Sequence, residues 1–342
     1  MRPAMVMRKV IVGAFAGFGL FACAIAAARS TNDLDAQILL QNIHKAAQTL
    51  NYTGTFVFQQ ANQIRTSRIT HLFDGKTESE KFEILDGKPR EYIRRGDEIV
   101  SYLPEIKLLL VEKRITQDVF PAIVPAGSGS LSTHYWIRKG EIGRVAGFDS
   151  QVLVLEPKDN LRYGYKLWAE KSTSLLLRAQ TINERNEVVE QIAFTQLVIG
   201  NIEPAKAQTS YADTQAWRTE HVAMNSVAVT GWTVKSIPPG FKKIREMKRT
   251  ISDAGPASGN GMVGGAVVAS QRDVMQIVYS DGLAAISIFI EPVLKGQSQG
   301  VFRQGALNML GKRQGEFWLT IVGEVPAAAI NQVASSIEYI SR

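Results

Sequence analysis

The stretch Tyr52-Thr53-Gly54-Thr55-Phe56-Val57-Phe58 alternates apolar and small residues with a period of two. That alternation is the signature of a strand with one face turned to a core. Similar runs follow at 64–73, 81–85, 91–95, 98–103 and 107–111. Turn signals separate them, Asp74-Gly75 and Asp86-Gly87 among them. Strands at this spacing predict an antiparallel meander. After a looser stretch at 113–135, with Pro121, Pro125 and Gly127-Ser-Gly-Ser130, further strands are expected at 142–148, 151–157, 163–169, 175–183 and 188–197. The looser stretch is expected to lie over the sheet as a helix or loop. About ten antiparallel strands form too long a sheet to stay flat, so the sheet must curl, and a curled sheet has a concave face.

A helix is expected ahead of the strands, over 33–50. Leu34, Ile38, Ile43 and Ala47 recur at helical spacing, with Asp33 placed to cap its start and Asn51 to end it. Earlier still, Arg2, Arg8 and Lys9 precede an apolar run from Val10 to Ala22 and small residues ending in Ala26-Ala27-Ala28. That order reads as a secretory signal peptide over 1–28, with cleavage after Ala26 or Ala28. Leu20-Phe21-Ala22-Cys23 resembles a lipobox, although the bulky Phe21 is atypical there. With ordinary cleavage the chain loses its only cysteine, and thiol chemistry goes with it.

The remaining length exceeds what one core usually organises, so two domains are expected. The first is placed at 29–203. Residues 204–226, polar and aperiodic, read as a linker, and 227–342 as a smaller α+β domain. In that second domain 277–280 and 285–290 flank Asp281-Gly282 as a hairpin, and 317–322 is another strand. Pro326 opens an amphipathic helix over 327–339 with Ile330, Val333 and Ile337 on one face. Five glycines between 252 and 270 predict a flexible loop.

No motif for chemistry emerges. His44, His71, His134 and His221 make no i,i+3 or i,i+4 pair for a metal, and the nucleophile-elbow, zincin and phosphate-loop patterns are missing from the sequence. Asp97-Glu98 after Gly96 reads as turn chemistry. No catalytic residue, metal or cofactor is assigned. The net charge of +7 falls to +4 without Arg2, Arg8 and Lys9, and basic residues cluster at Arg90/Arg94-Arg95, Lys113-Arg114, Arg138-Lys139, Lys242-Lys243/Arg245 and Lys248-Arg249. A solvated face is the simplest reading of each. The last two clusters together suit phosphate groups or an acidic peptide. Nucleic acid is not an expected partner outside the cytoplasm. Phe56, Phe58, Tyr92, Tyr165 and Trp168 are the candidates to line an apolar cavity, with Trp168 on the opposite parity from Tyr165.

Several stretches carry a family likeness. Asp86-Gly-Lys-Pro-Arg-Glu-Tyr-Ile-Arg-Arg-Gly-Asp-Glu-Ile-Val-Ser-Tyr102, Arg162-Tyr-Gly-Tyr-Lys-Leu-Trp168, Tyr279-Ser-Asp-Gly-Leu283 and Leu319-Thr-Ile-Val-Gly-Glu-Val-Pro326 resemble the RseB/MucB family of periplasmic sigma-E regulators. The resemblance runs in order along essentially the whole chain after the signal. It implies a large domain shaped like the carriers LolA and LppX, an unclosed barrel with covering helices. It also implies a smaller domain that helps bind the periplasmic part of a transmembrane anti-sigma factor. Such proteins shield that factor from regulated proteolysis, and lipid-like or lipopolysaccharide ligands release them. Tyr279, Asp281, Gly282, Gly323 and Glu324 are the family-marking positions expected to serve partner binding. The alternative is a lipid or lipoprotein carrier using the same half-barrel, and a homo-oligomer is left open. Simple carriers of that shape have one domain, which favours the regulator.

Overall fold

The computed structural model describes residues 18–113, 120–125, 128–221, 229–252, 271–294 and 296–340. Most of the expected signal segment and the glycine-rich 253–270 stretch lie outside the described residues. Helix α1 (Phe18–Thr49) leads, followed by β1 (Tyr52–Gln60), β2 (Gln63–Phe73), β3 (Glu78–Ile84), β4 (Arg90–Arg95), β5 (Glu98–Leu103) and β6 (Leu108–Lys113). Then come β7 (Tyr135–Val145), β8 (Phe148–Pro157), β9 (Gly164–Glu170), β10 (Leu176–Ile182), β11 (Val188–Ile199) and β12 (Arg218–His221). These form one 12-stranded sheet in the order β12-β6-β5-β4-β3-β2-β1-β11-β10-β9-β8-β7. Two meanders therefore meet where β1 pairs with β11, and β12 and β7 are left as edges. The sheet is curled and unclosed, as expected.

Its concave side is packed by α1 and by the segment that carries Phe120, Val124 and Leu131, all buried with Phe56, Leu153, Leu155 and Leu167. Burying each such side chain contributes about 1.5–3 kcal/mol, and this holds the cover on the sheet. The helix differs from expectation in phase. Ala36, Leu40, Ile43 and Ala47 are buried, whereas Leu34 and Ile38 face outward and Asp33 lies within the helix rather than at its start. Ala36 and Ala47 allow close approach on either side of Leu40 and Ile43, so the seam runs along these four residues.

Two further strand boundaries are corrected. The strand expected at 142–148 is β7, which starts at Tyr135, and its turn falls at Ala146-Gly147 with positive φ at both residues. Residues 204–217 are also no free linker. Lys81 donates to the Ser210 hydroxyl at 2.7 Å, and Glu91 accepts from the Thr209 hydroxyl and the Ser210 amide at 3.0 and 2.9 Å. Tyr211 and Trp217 pack on Tyr102, and β12 then pairs in parallel with β6, so the large sheet extends to His221.

The smaller domain holds β13 (Trp232–Val234), β14 (Lys242–Ser252), β15 (Gln271–Ser280), β16 (Ala285–Pro292), β17 (Gly300–Gln304), β18 (Leu307–Gln314) and β19 (Phe317–Gly323). Helix α2 (Ala327–Ser335) and β20 (Ile337–Tyr339) close the chain. Six strands form an antiparallel sheet, β14-β15-β16-β19-β18-β17, while β13 pairs with β20. Period-two burial of Ile286, Ile288 and Ile290 on β16 supplies one wall of the core, and Ile330 and Val333 of α2 pack with them. The helix stops short of the expected 339, because Ile337 to Tyr339 become a strand against Trp232 to Val234.

Candidate functional site at the domain junction

The concave face is not filled. A cavity of about 660 Å³ remains, a size suited to a small amphiphile. Phe56, Phe58, Tyr92 and Tyr165 all line it, with Phe82, Phe120 and Ile192. The residues share a face because β1, β4 and β9 each present alternate side chains inward. Trp168 does not join them. Its odd offset from Tyr165 puts it on the other face of β9, where the Arg178 guanidinium lies 5.1 Å from its ring centroid. It is therefore removed from the cavity set.

The cavity wall is not wholly apolar. Arg94 donates to Glu78 at 2.7 Å and to Glu80 at 3.1 Å, a largely buried fork. Burial opposes the guanidinium's charge, but these two carboxylates outweigh it and hold the proton. Arg65 stands elsewhere on the wall, hydrogen-bonded to Gln63. The basic clusters read from the sequence are in part neutralised: Arg138 pairs with Glu156, Lys139 with Asp35, Lys243 with Glu246 and Lys248 with Asp273.

Two cavity residues, Leu283 and Glu324, come from the smaller domain. Glu324 retains accessible surface where it borders the cavity, but the surrounding protein desolvates it and raises its pKa. Glu190 on β11 borders the same cavity. Burial, reinforced by the charge of Glu324, pushes its carboxyl up to about 8, against a hydrogen bond from Gln60 that favours ionisation.

Of the family-marking residues, Asp281, Gly282 and Glu324 lie at this junction, while Tyr279 and Gly323 sit within the smaller domain behind it. Asp281 Oδ1 accepts from the amides of Leu283 and Ala284, which shapes the β15–β16 turn. Its Oδ2 accepts from Arg162 of the large domain at 2.7 Å and from the Tyr135 hydroxyl at 3.2 Å. Gly282 has φ +105°, and a Cβ there would lie 2.9 Å from Pro125 of the large domain. At Gly323 a Cβ would fall 2.5 Å from the Ala285 carbonyl, so β16 and β19 come together only with glycine there. Tyr279 is buried on β15 opposite Lys243. Arg162 and Asn308 were not legible as site residues. Arg162 is sealed from solvent and also donates to Asp159 and to the Pro239 carbonyl, while Asn308 donates to the Tyr163 hydroxyl across the domains at 3.0 Å. Among the described residues no group of His, Cys, Asp or Glu is arranged to hold a metal ion, and no helix is long and apolar enough to cross a membrane.

An unclosed antiparallel half-barrel, its cavity completed by a second sheet domain locked on through buried polar contacts, defines a two-domain cavity protein. The chain belongs to the MucB/RseB family: residues 35–218 match the model of the MucB/RseB N-terminal domain and 226–338 that of the C-terminal domain. It is 29% identical over 317 residues to the sigma factor AlgU regulatory protein MucB of Pseudomonas aeruginosa, covering 90% of this chain and 92% of that one. Identity to the sigma-E factor regulatory protein RseB of Salmonella typhimurium is 25% over 318 residues, 91% and 93% of the two chains. Among solved structures, MucB in complex with MucA(peri) aligns with TM-score 0.67 at 25% identity, over 90% of this chain and all of that chain. The Pseudomonas aeruginosa MucA/MucB complex gives 0.68 at the same identity and coverage.

Proposed function

We propose that this protein is a periplasmic regulator that binds the periplasmic segment of a transmembrane anti-sigma factor and shields it from regulated proteolysis. Lipid-like envelope signals, lipopolysaccharide among them, enter the half-barrel cavity and weaken that grip. It performs no catalysis. The observation that carries the reading is the end-to-end likeness, both domains included, to a protein solved together with MucA(peri). The cavity supports the sensing part, because Leu283 and Glu324 of the smaller domain form part of its wall. A ligand seated there touches both domains, and a ligand that prefers one domain arrangement must weaken whatever prefers the other, by the same factor in each direction. Asp281, Gly282 and Glu324 act on partner binding by setting how the domains meet, while Tyr279 and Gly323 hold the β15, β16 and β19 framework that carries them.

The test is a pull-down with the periplasmic segment of the organism's own anti-sigma factor, repeated with lipopolysaccharide as competitor. Saturable capture that lipid weakens is the expected result. Lipid binding without capture of that segment would leave a carrier instead.

A further inference from the structure

Glu190 and Glu324 belong to different domains, one on β11 and the other directly after β19, and they border the same cavity. Neither has an ion-pair partner among the described residues, and Glu190 is held only by the Gln60 amide at 2.9 Å. The charged and titratable groups around them come from several elements. Arg65 on β2 and Tyr165 on β9 line the same cavity. From the smaller domain, Arg303 on β17 precedes Gly305, whose turn packs on Gln60 and Val189. Asp281 is nearby, but Arg162 takes up its charge. Among the described residues no cation is therefore paired with the two carboxyls. Glu190 is half-buried while Glu324 keeps exposed surface, so the cost of a second negative charge falls chiefly on Glu190, which holds its proton above the ordinary carboxyl range.

We propose that Glu190 and Glu324 form a protonation-dependent latch between the domains: with Glu190 protonated the smaller domain seats on the half-barrel, and on losing that proton the two carboxylates repel and open the cavity between them. The direction follows from linkage. With the domains apart, each carboxyl returns to its ordinary value of 4.5, whereas in the seated form that of Glu190 is about 8. Between those limits the seated form holds more protons. Seating is therefore at full strength below 4.5, weakens as the pH rises toward 8, and falls no further above it. For one proton the ratio of open to seated forms changes by at most about tenfold per pH unit.

The latch is read as an interdomain distance. Donor and acceptor dyes are placed at Lys171→Cys on the large domain and Ala328→Cys on the smaller one, both exposed, in a chain carrying Cys23→Ser. Transfer efficiency is followed from pH 5 to 8.5, with circular dichroism to confirm folding. The expected result is a fall in transfer as pH rises, flattened toward the seated value in Glu190→Gln and in Glu324→Gln, which remove the charge but keep the shape. A constant distance in the unaltered pair would overturn the latch. So would a pH response that survives both substitutions.

Discussion

Arg162 and Asp281, 119 residues apart in the chain, meet at 2.7 Å with both side chains essentially closed to solvent. The contact joins the half-barrel to the smaller domain, and it does so with full satisfaction of Asp281, which accepts two bonds on each oxygen. A buried pair of this kind adds little over a well-packed apolar contact, but removing one member leaves the other short of a bond.

Asp281→Ala leaves the buried Arg162 with Asp159 and the Pro239 carbonyl but strips one guanidinium bond and the Tyr135 hydroxyl of their acceptor, and should cost about 1–3 kcal/mol. The loss is measurable by denaturant unfolding, and the first transition should involve separation of the smaller domain. A change under about 1 kcal/mol would mean that water or Asp159 fully replaces the lost partner.

Gly282→Ala should destabilise the same junction by about 1–3 kcal/mol, because alanine is strained at this positive φ and its methyl meets Pro125. Gly200 has nearly the same φ, +104°, but faces open space, so Gly200→Ala isolates the conformational part. Thermal unfolding of the two variants should separate the contributions, with Gly282→Ala the worse.

Glu91 governs the 204–217 segment. Burial raises its pKa, but hydrogen bonds from Ser210 and Thr209 and the charge of Lys81 outweigh that and leave it lowered. A lowered carboxyl pKa gives stability that is present above the ordinary value of 4.5 and fades as pH falls through the folded value. The protection factor of the Ser210 amide against hydrogen exchange should hold from neutral pH down to that range and fall below it. Glu91→Gln should lower it at neutral pH as well.

Ala179 is buried on the cavity lining. Ala179→Leu places extra carbons in open space rather than into a packed core, so folding should change little. Binding of a twelve-carbon fatty acid should weaken roughly tenfold, from ~0.8 kcal/mol for each of about two displaced methylenes. Displacement of a fluorescent fatty-acid probe measures this, and unchanged affinity would place the ligand elsewhere.

What the sequence discloses follows from which forces are local. Period-two runs place Phe56, Phe58 and Tyr165 on one curled face, and the same parity argument sets Trp168 apart. Helix phase is harder, because Ala36 and Ala47 carry little hydropathy and yet mark the seam that Leu34 and Ile38 obscure. Tyr135 to Lys139 hide as a strand because Arg138 and Lys139 sit on an edge with one flank open to solvent. The polar run after 204 resembles a linker because side-chain hydrogen bonds to Lys81 and Glu91 hold it, and these have no period. The pairing of Arg162 with Asp281 is invisible for the same reason: no spacing along the chain encodes a contact between domains.

The parallel seam between β12 and β6 also has a mechanical meaning. Its four residues, Arg218 against Leu108 through His221 against Val111, are the last of the large sheet before the chain reaches the smaller domain at β13. A pull on the smaller domain is thus shared between the covalent chain, which leads into that short seam, and the junction contacts, Arg162–Asp281 and Tyr163–Asn308 among them. The seam lies at the rim of the sheet, and of its two strands β6 lends Glu112 to the cavity wall whereas no β12 residue lines the cavity. Tension on one domain can therefore strip an edge strand and leave the half-barrel's shape intact.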